Sequence, residues 1–162
     1  MTYKRLAHRE ETSIAAATAA GLLPQDFRWA CIFGSWLIAA VSALGALFFS
    51  EVMDVPPCIL CWYQRIFMFP LVLMLPFALF PLDRGVVRYA LPLALAGWVV
   101  ALYHVLLVAG YIPESIRPCS QGVPCTDLKV NWFGFVSIPL LSLLAFSTII
   151  ALLAWTHIKA PK

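Results

Sequence analysis

Four stretches of this chain are apolar for long enough to cross a lipid bilayer, and this constrains the fold more than any other feature. They cover about 29–50 (WACIFGSWLIAAVSALGALFFS), 62–80 (WYQRIFMFPLVLMLPFALF), 86–109 (VVRYALPLALAGWVVALYHVLLVA) and 133–155 (FGFVSIPLLSLLAFSTIIALLAW). About 20 residues of helix are needed to span a hydrocarbon core of ~30 Å. Backbone N–H and C=O groups find no partner in lipid, so each stretch must pair its own as a helix. Of 162 residues only 12% are charged, where a soluble domain carries roughly 25%. That is too little charge to cover a water-facing surface. The expected architecture is an all-α membrane protein, a single integral membrane domain over 1–162, folded as an up-down-up-down bundle of four transmembrane helices.

Basic residues set the expected orientation. Lys4, Arg5, Arg9 and Arg28 precede the first span, Arg84 and Arg88 flank the central turn, and Lys159 and Lys162 follow the last span. The other side holds only Arg65, Arg117 and Lys129. The positive-inside rule then places both termini in the cytoplasm and the segments at about 51–61 and 110–132 outside. A short apolar run at 14–23 (IAAATAAGLL) follows Glu10 and Glu11. Acidic residues there are wrong for a signal peptide, so the run is expected to remain as a cytoplasmic or interfacial segment. Pro70, Pro76, Pro92 and Pro139 fall within the spans, where membrane helices tolerate proline, usually with a kink. A net charge of +3 gives no reason to expect a nucleic-acid partner.

Four of the five cysteines fall in the two outer segments: Cys58 and Cys61 as C-x-x-C (PPCILCWYQR), and Cys119 with Cys125 in the long loop (RPCSQGVPC). Disulfides persist in extracytoplasmic compartments. Pro56 and Pro57 suit a helix entry, which puts Cys61 in the first turn of the second helix. Unpaired N–H groups and the helix dipole favour a thiolate there. Arg65 lies four residues on, one turn below on the same face. A cation at that depth either snorkels to the headgroups or serves a function, and its placement beneath a thiolate favours function. The Cys119–Cys125 pair, taken alone, reads equally as a structural staple or as an exposed, readily reduced bond. His104, one to two turns below the outer end of the third span, is placed to help Arg65 hold a polar ligand head or simply to pack. Cys31 reads as a small core hydrophobe. Trp62, Tyr63, Trp132 and Phe133 read as an interfacial aromatic belt. No metal is expected: the loop cysteines enclose five residues, and neither outer segment contains a histidine, unlike the usual zinc spacings. A c-type haem is excluded because Trp62 stands where histidine would be needed.

The combination of CILCWYQR with GVPCTDLKVNWFGFVSIP before the last span resembles the bacterial disulfide-bond formation protein B family, including its Gram-positive-type branch. The resemblance covers most of the chain. It implies a quinone-dependent, disulfide-generating oxidoreductase of the bacterial cytoplasmic (inner) membrane, with redox cysteines facing the periplasm or cell exterior. Such an enzyme reoxidises a thioredoxin-fold thiol oxidase and passes electrons to the membrane quinone pool, as ubiquinone or menaquinone. By that resemblance Cys58, Cys61, Cys119 and Cys125 are the catalytic cysteines, with Cys61 the thiolate beside the quinone and Cys119 the target of the partner. Arg65, His104 and Cys61 are the implied quinone contacts. The loop cysteines are closer together than in the better-known branch, so large loop rearrangements need not transfer.

Two alternatives compete with this reading. A vitamin K epoxide reductase-like enzyme would carry the loop pair early and the C-x-x-C late, the reverse of the order here. A membrane scaffold with inert disulfides would show neither quinone dependence nor a mixed disulfide with a partner.

Overall fold

The computed structural model describes residues 25–80, 84–112 and 137–158. The run at 14–23, the loop cysteines Cys119 and Cys125, and Trp132 and Phe133 lie outside the described residues. Among the described residues there are four α-helices: α1 (Gln25–Leu47), α2 (Ile59–Leu79), α3 (Arg84–Val108) and α4 (Ile138–Ile158). A π-helical turn, Phe48–Val52, prolongs α1. Among the described residues there is no strand. Among those residues four segments are long and apolar enough to cross a membrane: Phe27–Val52, Ile59–Leu79, Gly85–Val108 and Ile138–Ile158.

The helices form a ring in which α1 and α3 each pack against both α2 and α4. Their contacts alternate in direction. Trp36, midway along α1, meets Val72, past the middle of α2, whereas Arg65, early in α2, reaches Ala46, at the end of α1. Gly34 of α1 faces Leu152 near the end of α4, and Cys58 and Gln64 at the start of α2 lie against His104 near the end of α3. The bundle is therefore up-down-up-down.

Small residues on α3 make the close packing possible. Ala90, Ala94 and Ala101 are fully buried, and Gly97 shares their stripe. A Cβ on Gly97 would run into the ring of Phe146. Membrane helices associate through such small-residue faces, because lipid supplies no hydrophobic drive to bring them together. Opposite the stripe, Phe146, Ile149 and Leu153 of α4 and Leu71 and Leu75 of α2 fill the core. Leu73, Phe77, Tyr89, Val99 and Leu144 point outward, a surface that only lipid solvates without cost.

The prolines differ in their settings. Pro70 and Pro76 lie inside α2 and Pro92 inside α3. Pro76 has no N–H for the carbonyl of Val72, its acceptor four residues back. The indole Nε1 of Trp36 donates to that carbonyl at 3.2 Å instead. Pro139 is not interior. It is the second residue of α4, in the first turn, where a missing N–H leaves nothing unpaired.

Helix ends carry their own signals. α2 begins at Ile59 rather than near 62, because Cys58 in extended conformation (φ −70°, ψ 166°) caps it and accepts from the Cys61 N–H. Asp54, at φ 51°, turns the chain between α1 and α2, a conformation that Asp adopts more readily than most residues. α3 stops at Gly110, φ 81°, where Gly110 N donates to Leu107 O and Tyr111 N to Leu106 O. This paired pattern satisfies the last carbonyls, and its left-handed residue favours glycine.

Candidate functional site

The start of α2 carries Gln64 and Arg65, two of the buried polar residues among those described, beside the C-x-x-C. Cys58 and Cys61 are free thiols with their sulfurs 2.9 Å apart, sharing a hydrogen bond. The Cys61 backbone N–H points at the Cys58 sulfur from 3.4 Å. His104 Nε2 lies 3.8 Å from the same sulfur. Gln64 Nε2 is 3.2 Å from His104 Nδ1. With the amide donating to Nδ1, the imidazole presents Nε2–H to sulfur. Cys58, Gln64 and His104 are all buried, and Leu60, Leu107 and Tyr103 pack around them.

The sequence pointed to Cys61 as the anion. The donors instead converge on Cys58. The hydrogen bond with Cys61 holds the Cys58 thiol well below its usual range. Burial opposes this, and the His104 ring and the Cys61 N–H reinforce it.

Arg65 is buried and does not snorkel. Its Nη2 donates to the carbonyl of Ala46 at 2.6 Å and its Nη1 to Ser50 Oγ at 3.2 Å. The Trp62 ring lies 5.3 Å from the guanidinium carbon, within cation–π range. Both oxygen partners stand where α1 passes into its π turn. π turns break the regular hydrogen-bond ladder and are common at functional sites.

Beside Arg65 a cavity of about 360 Å³ opens among α1, the π turn, α2 and α4. Its walls are mostly apolar, including Val41, Phe49, Met68, Leu141 and Phe146, and its polar edge comes from Cys61, Gln64 and Arg65. Small-molecule sites have this character: an apolar volume of roughly 300–1,000 Å³ with a few convergent polar groups. Cys61 and Arg65, expected as ligand contacts, both line it. His104 does not. It sits on the other side of Gln64, engaged with Cys58, so the structure does not bring it beside Arg65 as expected.

Sequence reasoning missed Gln64, Ser50 and the Ala46 carbonyl. Gln64 was visible as an uncharged polar residue between Cys61 and Arg65 in an apolar span. Nothing in the sequence marked a backbone carbonyl. Cys31 is buried in α1, and its own carbonyl accepts from Ser35 Oγ, in keeping with a packing role.

The family described as Disulfide bond formation protein DsbB matches residues 26–156. The chain belongs to this family. It is 47% identical over 121 residues to Disulfide bond formation protein C of Bacillus subtilis (strain 168), covering 74% of this chain and 86% of that protein. A Probable disulfide formation protein of Metapseudomonas resinovorans is 46% identical over 131 residues, 80% of this chain and 91% of the relative. Probable disulfide formation protein C 2 of Bacillus anthracis is 44% identical over 128 residues, 79% and 91% of the two chains. No solved structure matches the fold. Membership of the DsbB family, with four helices able to span, makes the chain a multi-pass membrane protein. It also makes it an oxidoreductase of the disulfide-forming kind.

Proposed function

We propose that this DsbB-family chain is a thiol:quinone oxidoreductase of the bacterial cytoplasmic membrane. It reoxidises a thioredoxin-fold disulfide oxidase on the outer side and so sustains protein disulfide formation. The observation that carries the reading is the shared wall of one apolar cavity. Cys61, one member of a vicinal dithiol, and Arg65, a buried guanidinium, both face it. The lining suits a membrane quinone: Val41, Phe49, Met68 and Leu141 would hold an apolar ring, and Arg65 and Gln64 would supply polar contacts.

The chain's residues have distinct tasks. The partner's first thiolate attacks Cys119 and releases Cys125; the partner's second thiol then attacks the bridged sulfur of the partner, which leaves oxidised with the Cys119–Cys125 pair reduced. Cys125 then attacks Cys58 of the Cys58–Cys61 bond, forming a Cys125–Cys58 bond and releasing Cys61; Cys119 attacks Cys125 and releases Cys58, which restores the loop disulfide and leaves the free dithiol. The donors around Cys58 stabilise one sulfur as an anion. Arg65, fixed by Ala46 and Ser50, presents a cation to the cavity where negative charge gathers. A quinone, when bound, supplies the acceptor for the dithiol's two electrons and two protons. The apolar walls exclude water from the cavity.

Anaerobic turnover of the purified chain with reduced partner and either ubiquinone or menaquinone tests this. Cys61→Ser should abolish turnover. Normal turnover in that variant would remove Cys61 from the mechanism.

A further inference from the structure

We propose that the reduced Cys58–Cys61 pair, together with His104, forms a three-ligand site for a soft d10 cation such as Zn2+ or Cd2+. The two sulfurs and a ring nitrogen of His104 all lie within 4.8 Å of one another. The expectation of no metal rested on the spacing of the loop cysteines and on the absence of histidine from the outer segments. His104 comes instead from within α3, across the bundle.

The geometry is close to what a tetrahedral ion needs. Zn–S bonds of about 2.3 Å and Zn–N bonds of about 2.0 Å put tetrahedral ligand atoms roughly 3.5–3.8 Å apart. The Cys58 Sγ to His104 Nε2 separation is already 3.8 Å. The sulfurs, at 2.9 Å, must spread by roughly 0.9 Å to meet that spacing. Cys61, only partly buried and open to the cavity, has the freedom to move. Three protein ligands leave the fourth position to water or a small anion.

Gln64 makes the histidine adaptable. With its amide nitrogen at Nδ1, the ring points Nε2–H at sulfur. Turned end for end, the amide oxygen accepts from Nδ1–H, and the Nε2 lone pair faces the sulfurs. Metal-ligating histidines are oriented by such a partner on the far ring nitrogen. Binding displaces any remaining thiol proton, and the proton on Nε2, to solvent or to Nδ1. No electrons move. A bound cation ties up both sulfurs and keeps them from forming a disulfide. That consequence rests on the function proposed above, whereas binding itself is measured without turnover.

The test uses the full chain carrying Cys119→Ser and Cys125→Ser, in lipid nanodiscs, reduced with a phosphine. Cd2+ is titrated and followed by thiolate-to-cadmium absorption, then displaced by Zn2+. One Cd2+ per chain is expected, with none bound after disulfide formation. His104→Ala should weaken binding at least ~10-fold and Gln64→Leu about 10–100-fold. Gln64→Glu, which can only accept from Nδ1–H, should bind more tightly than the parent. Helical signal equal to the parent certifies the fold of each variant. Failure of the parent to bind overturns the proposal. So does an affinity indifferent to both His104→Ala and Gln64→Glu, which would mean an adventitious dithiol only.

Discussion

Removing the indole nitrogen of Trp36 should cost stability only while Pro76 is present. The carbonyl of Val72 lacks its helical partner because residue 76 is proline, and Trp36 Nε1 fills the gap at 3.2 Å. Trp36→Phe keeps an aromatic ring beside Phe33, whose ring centroid is 5.7 Å away, and deletes the donor. Interhelical hydrogen bonds in a membrane protein average ~0.6 kcal/mol, with a maximum near ~1.7. A buried carbonyl left unpaired adds about 1–3 kcal/mol in the limit of full burial, and this one is only part-buried. The expected loss is therefore about 1–2 kcal/mol. Pro76→Ala restores an N–H within α2, so the same change in that background should cost no more than ~0.5 kcal/mol, a coupling of about 1 kcal/mol. Reversible unfolding of all four proteins in mixed micelles, followed by helical signal, closes the cycle. Equal losses in the two backgrounds would refute the reasoning and leave the indole a packing group alone.

Gly97→Ala should destabilise the α3–α4 contact by about 1–3 kcal/mol, because the new methyl group meets the Phe146 ring; the same unfolding assay reads it, and Phe146→Leu should recover part of the loss. Arg65→Ala should raise the quinone KM and leave the Ala46 carbonyl and Ser50 without their donor, and Arg65→Lys should rescue it incompletely, since one ammonium cannot reproduce the planar fork; steady-state kinetics with varied quinone separates them. Because the Cys58 thiol is depressed first by Cys61, the thiolate of the reduced protein should persist below the ordinary thiol range of about 8.5 and be lost only as pH falls through the lowered value. Cys61→Ala should move that loss to higher pH, read by ultraviolet thiolate absorbance.

Hydropathy made the four helices legible, since length and the lack of charge are properties of each segment alone. The position of Cys61 in the first turn of α2 was legible for the same reason: Pro56 and Pro57 precede it and fix where a helix can begin. What the sequence did not disclose depends on how helices are rotated and slid against each other. His104 was placed at the right depth but beside the wrong neighbour, because depth follows from counting residues whereas facing follows from packing of the small stripe on α3. Arg65 was marked as meaningful by its charge. Its oxygen partners were hidden, since a carbonyl at the junction of an α-helix and a π turn has no residue type to advertise it.

The two cysteines of the C-x-x-C are in contact but differ in exposure. Cys61 borders the apolar chamber shared with Arg65, while Cys58 is walled in by Leu60, Leu107 and Tyr103 beside the imidazole. A guest between α1 and α4 therefore meets Cys61 on the cavity wall, whereas Cys58 is buried and not among the lining residues. Gln64 lines that cavity and also contacts the imidazole, so a substitution there would alter the surroundings of both sulfurs without changing either thiol.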